Sequence, residues 1–337
     1  MSPRNIRQVA PDPLHKCGLR LRLHHTRWNN CSPNASSTRG WESVAKRLRD
    51  VIVLLNASVV ILGDSVLRDQ FVMATCILYR LGALRFRPDF MSRAHYGTLN
   101  EIAHARLKVG GPALGLSFIW SHRVCLRYSA AGECKQQTLP HSRINFTRNV
   151  AMALQQVYGG SGNSSRRWVS VISQATHVLY GGHAFASSAQ EVAANLNLTM
   201  TWLNAHRGPH TEVALVEYLP SHFPAQPYGE YRRHEDTRVH STSQRGARCT
   251  PHDATLSAGH PEVLFRRTIV NEYASSRRLR LLRGWDLARD NHDDHPVNKS
   301  FADPEFGVLD CRHWCSPGRT MLNAVGVLAN FLGERAS

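Results

Sequence analysis

Ala57-Ser58-Val59-Val60-Ile61-Leu62-Gly63-Asp64-Ser65-Val66-Leu67-Arg68-Asp69-Gln70-Phe71 is the stretch whose reading decides the fold. Its first six residues are apolar, β-branched or small, as in a strand covered on both faces, which needs no polar alternation. Further on, Leu67, Phe71, Ala74 and Leu78 recur at helical spacing on one face, which predicts a helix over residues 65–81. Gly63-Asp64-Ser65 therefore falls at a strand-to-helix turn. A serine hydroxyl at such a turn is exposed beside backbone N–H groups that the helix leaves without partners.

Outward from this turn, helical and strand-like segments alternate. The patterns predict helices over residues 42–55, 148–158, 187–206, 261–276 and 321–332, and strands over 114–120, 177–180, 213–218 and 279–285. Residues 159–167 and 224–260 read as loops, the second long enough for a functional role. Such alternation implies an α/β fold with a mostly parallel sheet covered on both faces. Residues 1–40 read as an irregular, basic arm that carries Cys17 and Cys31, and residues 41–337 as one large domain.

A second block supplies what a serine nucleophile needs. In Asp310-Cys311-Arg312-His313-Trp314-Cys315, the carboxylate and imidazole are three residues apart. Asp310 can hold His313 in one tautomer, and His313 can take the proton from Ser65. Each half alone is weak. Gly-Asp-Ser arises by chance in about one chain in ten of this length, and Asp-x-x-His about once per chain. A second Asp-x-x-His, at Asp12 and His15, lies in a Pro-rich basic stretch and is set aside. The plain alternative is a polar turn at Ser65 and a surface Asp–His pair. Against it stands the place of Ser65 at the carboxyl end of an apolar strand, where open α/β sheets bind ligands.

The chain has 337 residues, net charge +16, 36 arginines against 5 lysines, and 42% hydrophobic residues. The arginines are scattered in pairs rather than gathered in a stripe, with no zinc-finger spacing or RNA-binding aromatic signature, so nucleic acid is not the expected partner. An acidic polysaccharide fits better, and a coding bias toward arginine is the plain alternative. No run of 18 or more apolar residues is present, so no membrane span is expected. Eight cysteines lack metal-type C-x-x-C spacing, which fits disulfides, although Cys311, His313 and Cys315 keep a zinc site open. Seven Asn-x-Ser/Thr sequons beside those cysteines imply the secretory lumen, such as the Golgi, or the exterior. No signal peptide is visible, so the expectation is that a leader or anchor is absent from this sequence.

The blocks, taken together, resemble those of the plant trichome birefringence-like proteins and the PC-esterase branch of the SGNH/GDSL superfamily. Residues 63–71 are similar to that family's GDS-x-x-R-N-Q block, and residues 310–318 to its D-C-x-H-W-C-L-P-G block. Between them Phe118-Ile119-Trp120-Ser121, Gly182-His183, Leu219-Pro220-Ser221-His222-Phe223, Gly246-Ala247-Arg248-Cys249 and the stretch from Asp290 to His295-Pro296 follow the family's order. The resemblance implies an SGNH-type three-layer α/β/α fold and a serine O-acetyltransferase or acetylesterase acting on a cell-wall or other glycan. It implies a Ser65–His313–Asp310 triad, and no bound cofactor beyond an acetyl donor if the enzyme is a transferase. It also implies a Cys249–Cys311 disulfide, with Cys76 and Cys315 tied to the arm through Cys17 and Cys31. Two departures stand out. Tyr180 occupies the place of an oxyanion-donating Asn, and Ala184-Phe185 replaces a Trp pair. The Gly182 N–H or the His183 side chain can substitute, beside the Ser65 N–H.

Other residues of these blocks have two readings each. Asp64 adjoins the nucleophile, and Arg68 either faces the cleft or pairs with an acid such as Asp64. His222 either lines the site or packs beside it. His292 and His295, among Asp290, Asp293 and Asp294, suggest a metal, but a solvated loop is the favoured reading, since SGNH chemistry needs no metal. The alternative to an enzyme is a catalytically silent glycan-binding protein on the same fold. The sequence sets no oligomeric state.

Overall fold

The computed structural model describes residues 40–63, 65–85, 102–109, 114–120, 127–128, 134–135, 167–173, 197, 200–201, 204, 211–217, 219–220, 222, 238–239, 249–251, 261–295, 307–308, 314 and 318–334, with backbone only at some of them, Ser65 included. The predicted helix over 148–158, the predicted strand over 177–180 and the arm at 1–39 lie outside these residues.

The molecule is mixed α/β, and the described residues form one six-stranded sheet at its centre. The strands are β1 (Ala57–Gly63), β2 (Ile102–Arg106), β3 (Gly115–Trp120), β6 (Arg167–Ser173), β7 (Thr211–Val216) and β9 (Arg280–Leu282), ordered β2-β3-β1-β6-β7-β9. β1 pairs in parallel with β3 and β6, β6 with β7, and β7 with β9; among the described strands of this sheet only β2 runs antiparallel, next to β3 at the end of the order. Two short antiparallel pairs lie apart from it: β4 (Arg127–Tyr128) with β5 (Cys134–Lys135), and β8 (Arg238–Val239) with β10 (Gly307–Val308).

Every residue of β1 is buried, which explains why the strand shows no alternation. The helix before it, α1 (Trp41–Leu54), buries Ala45, Leu48, Val51 and Ile52 on one stripe. Asn56 makes the tight link between them with a φ of 47°, a left-handed conformation that asparagine tolerates better than most residues. The helix after it, α2 (Ser65–Arg80), is buried nearly all round, including the expected Leu67, Phe71, Ala74 and Leu78. It packs on β1 and β3 from one side and on α1 and the last helix, α5 (Arg319–Gly333), from the other. Phe71 stacks on Phe118 of β3 with ring centroids 5.8 Å apart, and the Gln70 side chain donates to the Ala324 carbonyl of α5 at 2.9 Å. Gly115 opens β3 with a φ of 145°, and a Cβ there would overlap the Ala105 carbonyl of β2. Only glycine fits that approach.

Two helices follow the middle of the sheet. α3 (Pro261–Ser276) packs near β9, and its Tyr273 hydroxyl donates to the Asn197 side chain at 3.0 Å. Asn197, Met200, Thr201 and Asn204 are helical, inside the helix predicted over 187–206. The segment expected as strand over 279–285 is strand only over Arg280–Leu282. Gly284 ends it, because a carboxylate there starts the short helix α4 (Trp285–Ala288).

Candidate functional site

The parallel strands alone follow the order β3-β1-β6-β7-β9, so the chain leaves β1 first to one side and then to the other. That reversal makes the carboxyl end of β1 a topological switch point, the place where open α/β sheets carry ligands. Gly63 ends β1 there, in register with Trp120 of β3 and Ser173 of β6. Ser65 is the first residue of α2, two positions on. Its backbone N–H belongs to the helix N-terminus, whose first amides have no intrahelical acceptor and favour developing negative charge. Asp64, Asp310, His313, Gly182, His183 and Tyr180 lie outside the described residues. Arg68, one turn into α2, is half-buried and pairs with Asp69 at 3.6 Å.

Because β1, β7 and β9 are parallel, the segments that follow them leave the sheet at one end, the end that carries Ser65. After β7 comes buried Glu217. Its N–H donates to the Leu282 carbonyl at 2.9 Å, and its Oε2 accepts the Gly284 and Trp285 amides at 3.0 and 3.1 Å. One carboxylate thus caps α4 and ties the exit of β7 to that of β9. Gly284 sits so close to Leu219 that a Cβ would lie 2.6 Å from its Cδ2.

This tie brings His222 against the segment after α4. His222 is wholly buried, with its Nδ1 2.7 Å from the His295 Nε2 and its Nε2 2.8 Å from the Arg289 carbonyl oxygen. A carbonyl only accepts, so His222 Nε2 carries a hydrogen. In the neutral ring Nδ1 is then the acceptor, and His295 Nε2–H donates to it. Trp314 covers both rings: it stacks on His295 at 4.1 Å and meets His222 edge-on at 5.4 Å. The Thr250 N–H donates to the His222 carbonyl at 3.0 Å, joining the segment of Cys249 to the same cluster. Cys249 and Cys76 are both disulfide-bonded; Cys17, Cys31, Cys311 and Cys315 lie outside the described residues.

The solvated-loop reading of the acidic His-containing stretch is overturned. Asp294 and His295 are buried, as is Asn291, while Asp290 and Asp293 remain on the surface. The reason is a cap in trans. α5 begins after Gly318, which has no side chain to offer, and Asp294 Oδ2 accepts the Thr320 N–H at 2.6 Å instead. Asn291 reinforces this by donating to the Leu287 carbonyl and the Thr320 hydroxyl. Burial pushes the Asp294 carboxyl up from 3.8 to about 7, against the opposing pull of its Thr320 hydrogen bonds and the Arg319 charge. No group of three or more His, Cys, Asp or Glu among the described residues is arranged to hold a metal ion. None of these burials was readable locally, because each partner comes from a distant segment. The His-Pro pair at 295–296 and the Trp beside His313 were the available signals.

No protein-family model matches the chain, and no curated protein matches it. A solved structure, described only provisionally as a platelet activating factor from Streptococcus pneumonia, aligns over 88% of this chain and 94% of that one at 12% identity and a TM-score of 0.35. A superposition that loose carries neither fold detail nor function across. Among the described residues no helix is long and apolar enough to cross a membrane.

Proposed function

We propose that this chain is an SGNH-type serine enzyme that transfers O-acetyl groups to, or removes them from, a glycan. Ser65 Oγ attacks the acetyl carbonyl carbon while His313 takes its proton and Asp310 holds the imidazole. The oxyanion that develops is met by the Ser65 backbone N–H at the head of α2. Collapse expels the donor's alkoxide, which takes the proton back from His313 and leaves acetyl-Ser65. A glycan hydroxyl or water, deprotonated by His313, then attacks the acetyl group and frees the serine.

The observation that carries this reading is the position of Ser65, at the switch point of the sheet and the head of a buried sixteen-residue helix. A second support is the packing of His222, Thr250, His295 and Trp314, from four separate sequence blocks, into one cluster. The disulfides at Cys76 and Cys249 support an oxidising compartment, the secretory lumen or the exterior.

The test is mass spectrometry of neutral and acidic oligosaccharides incubated with the protein and an aryl acetate donor, and of acetylated oligosaccharides incubated with protein alone. The expected result is a gain of acetyl mass in the first set or a loss in the second, abolished in Ser65→Ala. No change in either set, with a folded protein, contradicts the proposal and favours a glycan-binding role.

A further inference from the structure

We propose that Asn197 carries an N-linked glycan, its side-chain amide turned by α3 so that the nitrogen that takes the sugar is left on the open side. This rests on the luminal compartment read above and is independent of the serine chemistry.

Asn197-Leu198-Thr199 is one of the seven sequons. An asparagine amide has two ends, and the partners of Asn197 settle which one faces α3. Arg277 Nη2 lies 2.8 Å from its outer atom, and the Tyr273 hydroxyl lies 3.0 Å from the same atom. A guanidinium only donates, so the atom it meets is the oxygen and not the nitrogen. Burial raises the Tyr273 hydroxyl from its ordinary 10.0, more than the Arg277 charge lowers it, so this group also keeps its proton and donates. The Arg277 guanidinium lies over the Tyr273 ring at 5.4 Å, which sets the two donors side by side. Oδ1 therefore accepts twice, and Nδ2 has no hydrogen-bond partner among the described residues.

The surroundings leave room for a bulky group. Asn197 is exposed, and so are Thr201 and Asn204, four and seven positions on along one helical face. Met200 is buried and seats the segment from its other side. The chemistry is amide glycosylation on the chain before it folds, by a luminal transferase that uses a lipid-linked pyrophosphate sugar. A base of the transferase takes one Nδ2 hydrogen, and Nδ2 bonds the anomeric carbon of an N-acetylhexosamine. The bond from that carbon to the pyrophosphate breaks, and the pyrophosphate leaves with the electron pair. Nδ2 keeps its second hydrogen and Oδ1 is untouched, so both hydrogen bonds from α3 form in the glycosylated protein without rearrangement.

The test is peptide mass spectrometry of the full chain, expressed behind a cleavable leader in secretory cells, before and after enzymatic release of N-glycans. The greater part of the molecules should carry a glycan at Asn197, read as aspartate at that position after release. Thr199→Ala breaks the sequon and keeps the asparagine; it should lose the mass of one glycan. Asn197→Ala loses the glycan and both hydrogen bonds, and should melt about 2–4 °C below Thr199→Ala. Should Asn197→Ala fail to fold, Tyr273→Phe deletes one donor, keeps the ring and should melt below wild type. Equal melting in either comparison overturns the orientation by α3. Folded, secreted protein with Asn197 unmodified overturns the site and leaves the luminal reading intact, because the leader supplies the compartment. A glycan present with the leader but missing from the chain in its own cells overturns the luminal reading, and this proposal with it.

Discussion

Asp294 shows what a single side chain does when its partner is a helix rather than water. Its carboxyl, raised to about 7 by burial, holds a proton in the folded protein over the range where the unfolded chain, at 3.8, has released it. The stability it contributes is therefore complete below about pH 4 and is lost as pH rises through 7, by up to about 4 kcal/mol. Asp294→Asn keeps an acceptor for the Thr320 N–H and cannot ionise. The melting temperature of this variant relative to wild type should accordingly climb between pH 4.5 and pH 8; a constant difference would mean that the carboxylate is ionised throughout. Asp310 is proposed for the opposite task, an ionised carboxylate orienting His313. Asp310→Asn should lower kcat by about 10³-fold or more without loss of fold, because the amide accepts the wrong tautomer; an unchanged rate would assign Asp310 a structural role. The sequence showed the triad candidates and hid the burial of Asp294 and His295. Both are polar residues in a polar stretch, and what buries them (Thr320, His222, Trp314) lies 19 to 73 positions away.

Elements were legible where one periodicity ruled a long segment. α1 and α3 follow their expected spans within one residue, and β1 and α2 gave the turn that places Ser65. β6 was missed, since Arg167-Trp168-Val169-Ser170-Val171-Ile172-Ser173 opens inside a Gly/Ser/Arg-rich stretch that reads as loop. β2 was missed too, because Ile102-Ala103-His104-Ala105-Arg106 offers alternation with little β-propensity, and its strand identity comes from pairing with β3 at the sheet edge. β9 was overread, its three residues extended past a glycine whose role depends on Glu217. The helix most sensitive to packing is α2. Phe71→Ala empties a fully buried site that stacks on Phe118, and should cost about 3–5 kcal/mol in urea unfolding. A loss below about 1 kcal/mol would show that α5 and β3 close over the gap.

At the scale of the whole molecule, covalent ties and net charge each carry a prediction. Cys249 adjoins Thr250, whose amide reaches the His222 carbonyl, so the disulfide of Cys249 is coupled to the imidazole cluster by a single residue. If its partner is Cys311, as the family resemblance implies, the bridge closes 61 intervening residues and stabilises by about 4 kcal/mol. Non-reducing peptide mapping should then recover a Cys249–Cys311 peptide, and reductant should lower activity before or together with unfolding. Recovery of Cys249 joined to a cysteine other than Cys311 or Cys315 would remove the bridge from the His313 block. On the proposed reading, an acidic glycan acceptor would be drawn by the net charge of +16, a long-range attraction that salt should weaken. The central claim, that Ser65 is an activated nucleophile, is tested most directly by incubation with a fluorophosphonate followed by intact-mass and peptide mass spectrometry. The account expects one stoichiometric adduct, mapped to Ser65 and absent from Ser65→Ala. A folded, unlabelled wild-type protein, or an adduct on another serine, would contradict it.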